Sequence, residues 1–252
     1  MKLSVITLSW DNRDYTEKFV ESIRKHTKVP CELIIVDNGS EPSTQDWVRA
    51  AADKAIIFKE NQGFPKGFNA GLRAAEGEYV MMANNDTEFP ADWDSRLIET
   101  MEKYPNAGIV SPAYTSGRRI GRLEKPGNKI IKAGRFRRGP SGVAYFVRRH
   151  EMVNIFGGWS EDYPIASGED ADLCFTVWLR GYDVFVDQRV LVLHKGKVTA
   201  STKLEDWDSL YAENAKLFRK KWFYYHKFPY LARLTVKWFK QKPADKSLKA
   251  AG

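Results

Sequence analysis

Tyr79-Val80-Met81-Met82-Ala83-Asn84-Asn85-Asp86 is the stretch that decides how this chain is read. An apolar run that stops at a carboxylate reads as a buried strand delivering an acid to the edge of a sheet. In open α/β sheets, ligands bind beyond the carboxyl ends of the strands. An aspartate placed there points to a hard divalent cation, held by oxygen ligands and shared with a substrate phosphate.

Working outward, the same alternation recurs. Leu3–Leu8, Glu32–Val36, Ala55–Phe58 and Gly108–Val110 read as further strands. Between them, Asp14-x-x-Glu17 resembles a capping box ahead of Phe19, Val20 and Ile23 at helical spacing. Trp47–Asp53, Gly63–Ala75 and Trp93–Tyr104 read as helices, the last stopped by Pro105. Strand and helix alternate through about residue 110, the pattern of βαβ units around a parallel sheet. The order then breaks. Residues 115–140 are basic, Gly-rich and aperiodic, and read as a long loop acting as a mobile lid over an anion. Strands follow at Val143–Val147, Val184–Val186 and Val190–Leu193, with helices at 169–180 and Glu205–Lys221.

Bulk properties narrow the class. A chain of 252 residues with 43% hydrophobic content can bury a large single core. No run approaches a membrane span, and the N-terminus predicts no signal peptide. Two cysteines, Cys31 and Cys174, make neither a disulfide framework nor a zinc cluster, and each in an apolar run reads as a core thiol in a reducing compartment. The formal charge of +8 is local: residues 216–252 carry +10 and residues 115–140 carry +8, so the remainder is acidic. That argues for two anion-contacting segments and against a nucleic-acid-binding surface.

Several strand ends and helix starts hold candidate chemistry. Ser9-Trp10-Asp11 and Asp37-Asn38 end the first two strands and should share the sheet edge of Asp86. An aromatic beside a carboxylate suits a nucleobase; a core Trp and an Asx turn are the plainer alternative. Gly63-Phe64-Pro65-Lys66-Gly67-Phe68-Asn69-Ala70-Gly71 is neither a dinucleotide fingerprint nor a P-loop. It allows either an anion at a helix N-terminus beside Lys66 or tight helix–sheet packing. Glu169-Asp170-Ala171-Asp172 complements a helix dipole, and clustered carboxylates also supply a general base. His194 ends an apolar strand, where a distant Asp would complete a metal site.

Taken in order, these pieces resemble the family 2 glycosyltransferases of the GT-A fold, and most closely the rhamnosyltransferase-like members of cell-surface polysaccharide synthesis. The resemblance runs through Ser4–Trp10, Glu32–Ser40, Asn61-Gln62-Gly63-Phe64, Gly67–Gly71, Asn84-Asn85-Asp86-Thr87, Gly157-Gly158-Trp159, Gly168–Cys174 and Gly181-Tyr182, covering about residues 3–195. It implies a Rossmann-like, mostly parallel sheet flanked by helices, with a small antiparallel acceptor-side element and a C-terminal helical extension.

It also implies roles. Asp37 would contact the donor base, with Leu8 and Trp10 lining that pocket. Asn61, Lys66, Asn69, Asn84 and Asn85 fall on the donor side. Asp86 would bind the metal, Mn2+ or Mg2+, that bridges the diphosphate of a UDP- or dTDP-sugar, with His194 as a further ligand. Asp170 would be the catalytic base with Glu169 beside it, and Trp159 and Asp172 would lie on the acceptor side. The implied reaction is inverting transfer to a hydroxyl of a saccharide or lipid-linked saccharide.

Four positions depart from the family pattern: Asn84 stands where a first metal-motif Asp is frequent, Asp11 where an Asn is common, Ser160 for an Asp and Thr176 for an Arg. The expected organisation is a glycosyltransferase domain over 1–222, comprising a nucleotide-sugar half (1–112), the basic loop (115–140) and an acceptor half (141–222). A basic amphipathic tail (223–252) follows. In that tail Leu231, Leu234 and Trp238 share one helical face and Arg233, Lys237 and Lys240 the other, which suits an anionic bilayer. The expected location is cytoplasmic, with peripheral contact at the inner face of the cell membrane. Two competing readings are a non-catalytic membrane- or nucleic-acid-binding α/β module and a nucleotidyltransferase of similar architecture. The latter normally carries a Gly-rich loop after the first strand, which Ser9–Arg13 lacks.

Overall fold

The computed structural model describes residues 2–116, 121–137, 139–165, 167–196 and 207–227. Its strands are β1 Leu3–Ser9, β2 Cys31–Asp37, β3 Lys54–Ile57, β4 Tyr79–Ala83, β5 Thr87–Glu88, β6 Ala107–Tyr114, β7 Ile130–Lys132, β8 Ala144–Arg148 and β9 Asp183–His194. Its helices are α1 Arg13–His26, α2 Pro42–Ala51, α3 Phe64–Ala74, α4 Trp93–Lys103, the single turn α5 Arg149–Glu151 running into a π-helical turn Met152–Phe156, α6 Glu169–Leu179, and α7 Trp207–Lys227.

The sheet order is β3-β2-β1-β4-β8-β6-β9-β5, with β7 added alongside β9. β1 to β4 are mutually parallel where they pair, β8 is antiparallel to β4 and β6, and β6 and β9 are parallel. Alternate residues of β1, β2 and β4 enter two cores, because successive strand side chains point to opposite faces. Ile6, Ile34, Val36, Val80 and Met82 pack under Phe68 and Leu72 of α3 and the aromatics of α6 and α7. Leu3, Val5, Leu33, Ile35 and Met81 pack under Phe19 and Ile23 of α1, Val48 of α2 and Trp93 and Leu97 of α4. Covered on both faces, these strands read as continuous apolar runs, which is why they were legible in the sequence.

The glycines of α3 resolve the choice left open above. A Cβ at Gly71 would stand 2.4 Å from Ile6 Cγ2, and one at Gly67 would stand 2.8 Å from Leu8 Cδ2. Their spacing lets α3 lie directly on β1, so packing explains them, and Lys66 points to solvent.

Other expectations change. α2 begins at Pro42, not Trp47, because Pro is accommodated in a first helical turn. No capping box forms in α1; Glu17 instead takes the guanidinium of Arg13 at 2.6 Å. The two strands expected at 184–193 are one, bent against β6 by an irregularity between Pro112 and Ala113. α7 continues past Trp222 to Lys227, so the boundary drawn at 222/223 falls inside a helix. The expected tail faces of Leu231–Lys240 lie outside the described residues.

The basic segment is the largest change. Over 121–137 it is not a free lid: β7 pairs antiparallel with β9, and Ala133 and Phe136 are buried, the latter against Phe175 and Trp178. Its charge is partly spent at home. Lys132 and Arg135 both reach Asp183 at 2.8 Å. Burial works against the charged form of Asp183, but the hydrogen bonds from Lys132, Arg135 and Asn106 prevail and hold its pKa below the usual carboxylate value. A depressed carboxylate contributes stability that is full above its unfolded pKa and is lost as pH falls through the folded one. Amide protection at Ile130–Lys132, taken relative to the intrinsic exchange rate at each pH, should therefore fall in that acidic window. An Asp183→Asn variant should show the reduced protection already at neutral pH, and protection unchanged in that variant would refute the anchor.

Candidate active site

Asp86 lies just past β4, where the chain turns into β5. Thr87 pairs with His194 across the antiparallel β5–β9 ladder, which sets the two side chains on one edge. His194 Nε2 is 3.4 Å from Asp86 Oδ1. The far side of the same carboxylate is fixed: the Gly196 N–H donates to Asp86 Oδ2 at 2.9 Å, and the Lys195 N–H to the Asp86 carbonyl at 3.1 Å. Gly196 has φ +73°, and a Cβ there would meet Ser116 Oγ at 2.7 Å, so this corner requires glycine.

The other imidazole nitrogen determines what Nε2 presents. His194 Nδ1 is 3.0 Å from Ser116 Oγ and 3.4 Å from the Ser116 carbonyl. A carbonyl only accepts, so that contact assigns the ring proton to Nδ1. A neutral imidazole then turns a lone pair toward a carboxylate oxygen. Two acceptors at that separation are reconciled by a proton or by a cation between them. Burial favours neutral His194, but Asp86 and the Ser116 carbonyl outweigh it and raise the pKa above the ordinary imidazole value. Among the described residues no cluster of three or more His, Cys, Asp or Glu forms a metal cage. One nitrogen and one oxygen donor on side chains 11% and 10% exposed fit the donor chemistry of a divalent ion.

Asp170 sits in the first turn of α6. Its Oδ1 accepts from the Ala171 N–H at 2.6 Å and its Oδ2 from the Gly142 N–H at 3.2 Å. The next residue, Val143, accepts from the Asn84 N–H at 2.9 Å, and the preceding one, Ser141, donates its N–H to the Tyr114 hydroxyl at 3.1 Å. Tyr114 in turn meets the His194 ring edge-on, with centroids 6.4 Å apart. Thus residues 141–143 tie Asp170 to the end of β4 on one side and to the His194 corner on the other. Glu169 beside it is buried.

At the ends of β1 and β2 the backbone closes a small corner. Asn38 N–H donates to the Ser9 carbonyl at 2.7 Å, Asp11 N–H to Ser40 Oγ at 2.7 Å, and Glu41 N–H to Asp11 Oδ1 at 2.9 Å. Asp11 thereby supports the start of α2. Asp37 Oδ1 accepts from the N–H groups of Gly39 and Ser40. Its Oδ2, with Ser9 Oγ and Asn12 Nδ2, is buried without a hydrogen-bond partner among the described residues. Buried polar atoms left open in one corner are a ligand signal.

The model of glycosyl transferase family 2 matches residues 4–168, well over half of the sequence. The chain belongs to glycosyl transferase family 2. An uncharacterized glycosyltransferase from Nostoc sp. is 27% identical over 176 residues, covering 62% of this chain and 53% of the relative. The chain therefore spans about half the length of that relative. A glucosyl-dolichyl phosphate glucuronosyltransferase from Haloferax volcanii is 31% identical over 126 residues, covering 46% of this chain and 40% of its own. Among solved structures, a mannosyltransferase from Pyrobaculum calidifontis in complex with GDP-Man and Mn2+ superposes with a TM-score of 0.62 at 17% identity, covering 94% of this chain and 73% of the other. At that identity the likeness shows the fold, which is the GT-A type.

Within this family 2 glycosyltransferase, three expected contacts are placed in the interior instead. Asn69 is a latch: its Nδ2 donates to the Trp159 carbonyl and to Glu161, and its Oδ1 accepts the Trp159 N–H, each at 2.9 Å. Its amide is spent on the protein, not on the donor. Trp159 is 2% exposed, stacked on Tyr145 at 5.6 Å and edge-on to Phe64 at 5.1 Å. It forms a floor beneath Gly142, with its ring enclosed by the protein. Asp172 anchors α7: its carboxylate accepts from Trp222 Nε1 at 2.6 Å, Tyr163 Oη at 3.1 Å and Lys221 Nζ at 3.1 Å. Burial drives the Asp172 pKa up despite these donors. Alternation along α6 explains the split, since Asp170 and Asp172 lie two residues apart and face different sides. Asp172→Ala would strand those donors, and we expect a loss of about 3 kcal/mol in urea unfolding. A midpoint equal to the parent's would contradict the anchor.

Of the remaining predicted residues, Asn61 Oδ1 closes a turn onto the Gly63 N–H at 2.8 Å, and Asn85 Nδ2 reaches Thr16 Oγ1 at 2.9 Å. Leu8 and Trp10 are half-buried beside the corner of Asp37, and Asn84 is half-buried at the end of β4. Thr115, Ser116, Tyr114 and Gly142 escaped the sequence reading. Each works through a backbone atom or a single hydroxyl at a long sequence distance, which leaves no local pattern.

Proposed function

We propose that this chain moves a sugar from a nucleotide-diphosphate donor to a hydroxyl of a saccharide or lipid-linked saccharide, with inversion at the anomeric carbon. The observation that carries the reading is the Asp86–His194 pair, two donors 3.4 Å apart on one sheet edge. The open polar atoms of Ser9, Asn12 and Asp37 support a nucleoside beyond the ends of β1 and β2, flanked by Leu8 and Trp10. That is the edge at which open α/β sheets take nucleotides. Likeness to a mannosyltransferase complexed with GDP-Man and Mn2+ supports the same donor class.

Asp86 and His194 are the residues that would hold a divalent ion, Mn2+ or Mg2+. When bound, such an ion supplies charge neutralisation to a diphosphate leaving group. Asp170 takes the proton of the acceptor hydroxyl as that oxygen attacks the anomeric carbon. Its two backbone N–H donors hold the carboxylate in place for that transfer. With a single base and no protein nucleophile in the scheme, displacement is direct and the configuration inverts.

The name of the Haloferax relative, which acts on a glucosyl-dolichyl phosphate, favours a lipid-linked acceptor. Phe223, 47% exposed on α7, and the basic sequence beyond it favour contact with an anionic membrane. Equal flotation of the full chain and of a version ending at Trp222 on anionic liposomes would remove that contact. The donor reading is tested by thermal denaturation with UDP, dTDP or GDP, with and without Mn2+. A shift that needs one nucleotide and the metal together supports it, and no shift with any pair would overturn it. A donor-hydrolysis panel then identifies the sugar, including the rhamnosyl donor that the resemblance implies.

A further inference from the structure

Three polar arms meet at His194, and only one comes from Asp86. The second is Ser116, whose hydroxyl and carbonyl both lie within 3.4 Å of Nδ1. The third is Thr115: its Oγ1 accepts the His194 N–H at 3.0 Å and lies 3.4 Å from the His194 carbonyl. The Thr115 N–H also donates to the Val192 carbonyl at 3.2 Å, so the end of β6 is laced to the end of β9 for several residues. Tyr114 meets the ring edge-on, with centroids 6.4 Å apart.

We infer that Ser116, backed by Thr115, is a positioning residue for the metal ligand His194. It holds the imidazole with Nδ1–H turned inward, so that Nε2 is the nitrogen aimed at Asp86. The inference rests on the proposed metal role of Asp86 and His194 and deepens it. The physical reason is that a histidine ligand presents one nitrogen only if its other nitrogen is occupied, and the partner that occupies it fixes ring orientation and tautomer. Ser116 offers two acceptors to one N–H, so the ring has no comparable alternative. A flipped ring would place Cδ2 against the serine and Cε1 against Asp86. The arrangement also explains why Gly196 has no side chain: a Cβ there would press on Ser116 Oγ at 2.7 Å.

The experiment is a double-mutant cycle on Mn2+ affinity, read from the free Mn2+ signal by electron paramagnetic resonance in the presence of saturating UDP. Ser116→Ala should weaken Mn2+ about 10-fold, at the lower end of what supporting shells contribute. It should leave the thermal midpoint without ligands unchanged and raise the Mn2+ requirement of turnover more than it lowers kcat. His194→Ala should weaken Mn2+ further, and Ser116→Ala added to it should cost nothing more, since the serine acts only through the ring. Parent-like Mn2+ affinity in Ser116→Ala would overturn the inference. So would a serine effect that persists at full size in the His194→Ala background. If the parent itself takes up no Mn2+ with any nucleotide diphosphate, the metal reading fails first, and that result is distinct from either of these.

Discussion

An Asp170→Asn variant should bind the donor nucleotide and Mn2+ as the parent does, yet transfer sugar about 10²–10⁴-fold more slowly, the range that a positioned general base contributes. Asparagine nearly preserves the shape of the side chain. Its amide oxygen still accepts one of the two N–H groups, from Gly142 or Ala171, that hold Asp170. What it lacks is the ability to take a proton. The expected signature is therefore a fall in kcat with the nucleotide dissociation constant intact, the pattern of an interaction made only in the transition state. Glu169, buried next to it, is poorly placed to substitute. Transfer at the parent rate would mean that Asp170 is not the base.

Asp86→Ala should act on both quantities. The carboxylate offers Oδ1 toward His194 and ties Oδ2 to the Gly196 N–H, so its loss removes the proposed metal ligand and also frees the Gly196 N–H. The Mn2+-dependent part of donor binding should fall by more than the ~10–100-fold typical of groups that only orient a ligand. Turnover should fall with it. Nucleotide binding measured without metal should change far less, since the base corner at Asp37 lies at the ends of other strands. Isothermal titration of UDP with and without Mn2+ separates the two. A variant whose Mn2+-dependent increment equals the parent's would exclude Asp86 as a ligand.

The half of the chain around Tyr79–Asp86 was legible because its strands are covered on both faces and its turns carry Asp, Asn and Gly where the sheet ends. A strand that ends in a titratable residue delivers it to the sheet edge, and both Asp86 and His194 are such strand-end residues. Sequence reasoning failed where contacts are long-range. Nothing local tells that Asn69 is used by the backbone of Trp159, ninety positions away. Nothing near Trp159 in sequence shows that Tyr145 and Phe64 enclose its ring. The acidic start of α6 hides two jobs in one motif, with Asp170 turned to Gly142 and Asp172 turned to Trp222 and Lys221. The basic segment misled because its charge count ignored Asp183, which neutralises Lys132 and Arg135 and docks β7 on the sheet. Short edge strands such as β5 and β7 carry too few residues for a period to show.

The central claim is that His194 Nε2 and Asp86 share a cation with the donor diphosphate. Electron spin-echo spectroscopy of Mn2+ bound with UDP, or with whichever nucleotide the thermal screen selects, addresses it directly, because an imidazole nitrogen bonded to Mn2+ modulates the echo. Nitrogen modulation is expected in the parent and should disappear in His194→Ala. Mn2+ held in the nucleotide complex with no such modulation in the parent would contradict it.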